Sequence, residues 1–75
     1  MGQHKWEIPK PVLYRLNDAI TDQGMTPESV ASKMDMLGSN LRMYLNGDVC
    51  MNFMRFRQIC EVLGVSADWI LFGKK

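Results

Sequence analysis

The sequence has little of what a reactive centre needs. His4 is the only imidazole, and it has no partners at metal-ligand spacing. Cys50 and Cys60 fit neither a metal-binding pattern nor a disulfide framework, which points to a reducing cytoplasm. There is no paired-carboxylate pattern and no glycine-rich phosphate loop, so an enzyme is the poorest of the possible readings. No apolar run approaches the roughly 18 residues of a membrane span. The N-terminus also lacks the continuous apolar stretch of a secretory signal. Neither sign of charge dominates: 9 Lys and Arg against 8 Asp and Glu leave a net charge of +1. That balance excludes a protein that adheres to nucleic acid through bulk charge alone.

What is present fits one small domain. A chain of 75 residues buries only about 60% of the surface it exposes when unfolded, so its stability margin is narrow. The 7 methionines are an unusual share. Charge is segregated along the chain. Lys5, Lys10 and Arg15 face only Glu7, then Asp18, Asp22, Glu28 and Asp35 outweigh Lys33, and Arg42, Arg55 and Arg57 outweigh Asp48. A locally basic face on a nearly neutral body is the expected result.

Residues 1–11, with Pro9, Pro11 and Trp6, read as an irregular arm: a tail, or a strap pinned by Trp6 and Ile8. The functional alternative is an arm reaching DNA through Lys5 and Lys10. A first helix is expected from near Pro11 to Gln23, with Leu13, Leu16 and Ile20 as its apolar stripe, Gly24 as its stop, and Arg15, Asn17, Asp18 and Asp22 outward. Met25 is expected to tuck under the second helix.

The stretch from Thr26 to Gly47 reads as two short helices around a break. Thr26 suits the N-cap and Pro27 the first helical position, whose N–H is unpaired in any helix. Val30, Ala31 and Met34 face inward, and the small Ala31 lets the next helix cross close by. The break at Asp35 calls for a residue that tolerates a left-handed conformation. From Gly38 helical spacing resumes, with Leu41, Tyr44 and Leu45 inward and Ser39, Arg42, Met43 and Asn46 outward.

A fourth helix opens with Asn52 as cap and carries Phe53, Phe56, Ile59, Cys60 and Leu63 at core spacing up to the Gly64 stop. Cys60 reads as a buried, inert thiol and Cys50 as a loop residue. Ser66 caps a last helix in which Trp69, Ile70, Leu71 and Phe72 follow in an unbroken row. A short helix cannot turn all four inward, so part of the row forms an exposed apolar patch of the kind that marks a partner surface. The alternative is that Trp69 and Phe72 close the bottom of the core.

The stretch from Thr26 to Gly47 resembles the helix-turn-helix of the phage Cro and CI repressor family. Val30, Ala31, Met34, Met36, Leu41 and Tyr44 stand at that family's buried positions, and Asn46-Gly47 at its frequent helix end. The likeness continues through Asn52, Phe53, Phe56, Ile59, Cys60, Leu63, Gly64, Val65 and Ser66. The segment from Ala67 to Lys74 is similar to the close of many phage repressors, so the whole runs from about Val12 to Lys74. The resemblance implies an all-α, five-helix, lambda-repressor-like domain over residues 12–75 with a central helix-turn-helix. It implies double-stranded DNA and a second copy of the chain as partners, and no cofactor, small-molecule substrate or membrane.

Carried over by position, Leu37, Gly38, Ser39, Asn40, Arg42 and Met43 fall where the family reads bases in the major groove. Asn46, Asn52 and Arg55 fall at phosphate contacts, with Arg57 an even choice between DNA and solvent. Trp69, Ile70, Leu71 and Phe72 fall at the two-fold contact. The bland reading of Arg42 is a solvated surface charge.

Four departures alter the expected contacts. Pro27 replaces a polar residue that bonds a phosphate. Leu37 replaces a capping Ser or Thr, leaving Ser39 as the expected cap and a late helix start. Asp35 replaces a turn glycine and would repel a nearby phosphate. Asp48-Val49 replaces basic residues. The other class of function is a protein-interaction module on the same fold, antitoxin-like or regulator-binding, held by Leu37 and Met43 and tolerant of salt. With no further domain expected in this length, control would come from concentration, dimerisation or a second protein.

Overall fold

The computed structural model describes residues 8–73. Among them are five α-helices and no strand: α1 Lys10–Asp22, α2 Pro27–Lys33, α3 Gly38–Asn46, α4 Phe53–Leu63 and α5 Ala67–Phe72. The helix starts follow local chemistry. The Thr26 hydroxyl accepts from the Ser29 N–H while the Ser29 hydroxyl accepts from the Thr26 N–H, a capping box that opens α2. Asn52 and Ser66 cap α4 and α5 by accepting from the N–H groups of Arg55 and Trp69. The start of α1 lies within one residue of the expected Pro11. Lys10 and Pro11, assigned to the arm, form its first turn after Pro9, where a helix loses nothing from proline's missing N–H. The strap through Trp6 and the DNA contact through Lys5 lie outside the described residues.

Four helices end in the same way. After α1, α2, α3 and α4, an N–H two or three residues past the helix end bonds back to a carbonyl five residues earlier: Met25 to Ile20, Met36 to Ala31, Asp48 to Met43 and Val65 to Cys60. This Schellman closure puts one residue in the left-handed region. Three times that residue is glycine; after α2 it is Asp35, at φ +56°, the single non-glycine with positive φ among the described residues.

One core results. Leu16 and Ile20 of α1, Val30 of α2, Leu41 of α3, Ile59 of α4 and Ile70 of α5 are its largest fully buried side chains, so every helix contributes an anchor. Each such burial contributes roughly 1.5–3 kcal/mol against chain entropy. The most extensive helix pairing is α2 on α3, across a fully buried Ala31; α1 packs on α3 and α5, and α2 also on α4. Met25 is partly buried and packs against the core. Cys60 is buried, and that burial pushes its thiol pKa up, away from reactivity; Cys50 is in an exposed loop.

Three expectations fail. Phe53 is 73% exposed rather than buried. It opens α4 and lies beyond the end of the core, which Met51 of the preceding loop fills. Ile70, assigned to a dimer surface, has no exposed area, because α5 is laid on α1 by exactly one of its four apolar residues turning fully inward. Arg15 and Asn17 are not free on the outer face of α1. Arg15 bonds the carbonyls of Ile70 and Leu71, and the Asn17 amide bonds those of Leu13 and Leu45.

Candidate nucleic-acid interface

The outward side of α3 is built by the turn before it. Asp35 reverses the chain, Leu37 takes extended backbone at φ −74° and ψ 142°, and α3 starts at Gly38. Leu37 is the N-cap and supplies no side-chain acceptor; only its carbonyl receives the N–H groups of Asn40 and Leu41. Ser39 is therefore not the cap: it sits inside the first turn, and the helix does not start late. With Leu41 and Leu45 buried and Tyr44 half-buried, helical spacing leaves Ser39, Asn40, Arg42, Met43 and Asn46 exposed, beside a Leu37 that is 67% exposed.

Gly38 lies against α2. A Cβ there would come within 2.8 Å of the Glu28 Cγ and 3.3 Å of its Cα, so the two helices meet at a distance only glycine permits. One turn on, Arg42 meets the same residue. Its Nε donates to Glu28 Oε2 at 2.6 Å and its Nη2 to Oε1 at 2.9 Å, a two-pronged pair on the surface. The guanidinium lowers the Glu28 pKa, chiefly through these hydrogen bonds, and the carboxylate raises that of Arg42. Arg42 is thus neither buried nor a lone solvated charge. Its partner Glu28 did not stand out in the sequence, although a position on one helix facing the start of the next was the available signal.

The second row of candidates is more dispersed. The Asn52 side-chain oxygen is occupied as a cap, and Arg55, half-buried, donates from Nη1 to Gln58 Oε1 at 3.1 Å. Arg57 pairs with Glu61 on its own helix at 3.5 Å. Beside them Phe53 and Met54 stand 73% and 60% exposed, an apolar start to α4 that sequence spacing missed. In α5, Trp69 is half-buried against the core, while Leu71 and Phe72 are exposed. The row thus splits, and Phe72 does not close the core.

A hollow of about 990 Å³ forms an open groove between the start of α1, the end of α3 and the loop to α4, with Tyr14, Asn17, Tyr44, Val49 and Met51 among its walls. The described residues hold no cluster of His, Cys, Asp and Glu able to bind a metal, and no described helix is long and apolar enough to cross a membrane. No family model, curated protein or solved structure matches this chain.

Proposed function

We propose that this chain is a sequence-reading DNA-binding regulator of the helix-turn-helix, Cro/CI type, a homodimeric repressor of the bacterial or phage-infected cytoplasm. The observation that carries the reading is α3 itself. It is a short helix braced by α2, with Leu37, Ser39, Asn40, Arg42 and Met43 turned to solvent at the end that a major groove admits. Asn40 suits an adenine edge, Ser39 either a base or a phosphate, Arg42 a guanine, and Leu37 and Met43 thymine methyl groups. Asn46, Asn52 and Arg55 would meet phosphates. Two copies joined through Leu71 and Phe72 would set their α3 helices about 34 Å apart on a near-palindromic operator and block polymerase there.

Selection from random duplex DNA, at two salt concentrations and with Arg42→Ala, tests the reading. A near-palindrome enriched by the wild type and altered in the mutant supports it, and no enrichment even at low salt sinks it. The second reading, a protein-interaction module, is favoured by the exposed Leu37, Phe53 and Met54. Binding of a partner through these residues would survive high salt, unlike binding to DNA.

A further inference from the structure

Resting on that DNA-binding reading, we infer that Glu28 is a positioning residue which aims Arg42 at a guanine base rather than at the phosphate backbone. Three residues on two helices make the device: Glu28 on α2, and Gly38 and Arg42 one turn apart on α3. The absence of a side chain at Gly38 brings the Glu28 backbone and Cγ against the start of α3. From there the carboxylate takes the Nε and Nη2 donors of Arg42 at 2.6 and 2.9 Å.

A guanidinium has five N–H donors in one plane. Glu28 uses one on Nε and one on Nη2, leaving the second Nη2 hydrogen and both on Nη1. The remaining Nη1–Nη2 edge holds two parallel N–H groups, the arrangement that pairs with guanine O6 and N7. Fixing the fork in advance reduces the side-chain freedom lost on binding.

The same carboxylate argues against a phosphate. An anion beside Arg42 cancels much of the charge that attracts a phosphate, and it repels the phosphate directly. Guanine O6 and N7 are neutral acceptors, for which direction matters more than net charge. Arg42 paired to Glu28 is therefore a reader of bases and contributes little to counterion release.

The test repeats the duplex selection with Glu28→Gln, Arg42→Ala and the double variant, each first checked for wild-type thermal unfolding. The wild type should enrich one guanine per half-site that Arg42→Ala no longer prefers. Glu28→Gln should weaken preference at that position alone by about tenfold, with no further loss in the Arg42→Ala background. The slope of log affinity against log salt should be the same for wild type and Arg42→Ala. An enriched operator that Glu28→Gln leaves unchanged overturns this inference and leaves the DNA-binding reading standing. So does uniformly tighter binding by Glu28→Gln, or a salt slope reduced by about one in Arg42→Ala. If the wild type enriches no sequence, both fall together.

Discussion

Arg15, on α1, donates from its Nε to the backbone carbonyl of Ile70, on α5, at 2.6 Å, across 55 residues of sequence. Its Nη2 also reaches the Leu71 carbonyl at 2.9 Å, and Gly73 lies so close that a Cβ there would sit 3.3 Å from Nη1. A helix of six residues cannot hold itself together in water. The guanidinium satisfies carbonyls that the end of α5 leaves without intrahelical partners, while Ile70 anchors the helix in the core.

Arg15→Ala should therefore destabilise the fold by about 1.5–3 kcal/mol, the range for hydrogen bonds to a charged donor. Arg15→Lys should recover only part of this, since an ammonium cannot span both carbonyls with a planar fork. Denaturant unfolding gives the total. Amide exchange should show the loss concentrated in α5.

Ile70→Ala and Phe72→Ala, two residues apart, should behave differently. The first opens a cavity in a fully packed site and should cost about 2–5 kcal/mol. The second removes a ring that is 68% exposed and should change monomer stability by no more than about 0.5 kcal/mol. Sedimentation of Phe72→Ala then isolates the proposed dimer contact, with a shift toward monomer expected at unchanged stability.

Asp35 carries the strain of the turn. Relieving its positive φ with Asp35→Gly should be neutral or stabilising by up to about 1 kcal/mol, because glycine adopts that region freely but loses more entropy on folding. Asp35→Val should destabilise by about 1–2 kcal/mol or more. A shift in the denaturant midpoint at constant slope is the measurement.

The Glu28 carboxyl should titrate below its ordinary value of 4.5, and Arg42→Ala should raise it back toward that value, since the hydrogen bond from Arg42 is the largest cause of the lowering. A carboxyl whose folded pKa is lowered contributes stability at pH values above its unfolded pKa. That contribution is lost as pH falls from about 4.5 through the lowered folded value. Carbon-detected NMR titration of Glu28 in both proteins checks it. Because the pair is on the surface, the difference should shrink in high salt.

Between fold and site, the sequence was informative to different depths. Helix count, starts and stops are local matters. Thr26, Asn52 and Ser66 cap by reaching three residues ahead, Gly24, Gly47 and Gly64 stop helices through their own backbone freedom, and Asp35 does so at the cost of strain. Inward residues followed from helical spacing wherever the stripe had neighbours along its length, as with Leu16, Val30, Leu41 and Ile59. At the ends of helices the same spacing failed. Whether Phe53 or Met51 is covered, and which of Trp69, Ile70, Leu71 and Phe72 turns inward, depends on where other helices stop and how they cross. The pairings of Arg42 with Glu28 and of Arg15 with the end of α5 join residues 14 and 55 positions apart. Periodicity orders residues around one helix axis, whereas these contacts depend on the packing between axes, which only the tertiary structure decides.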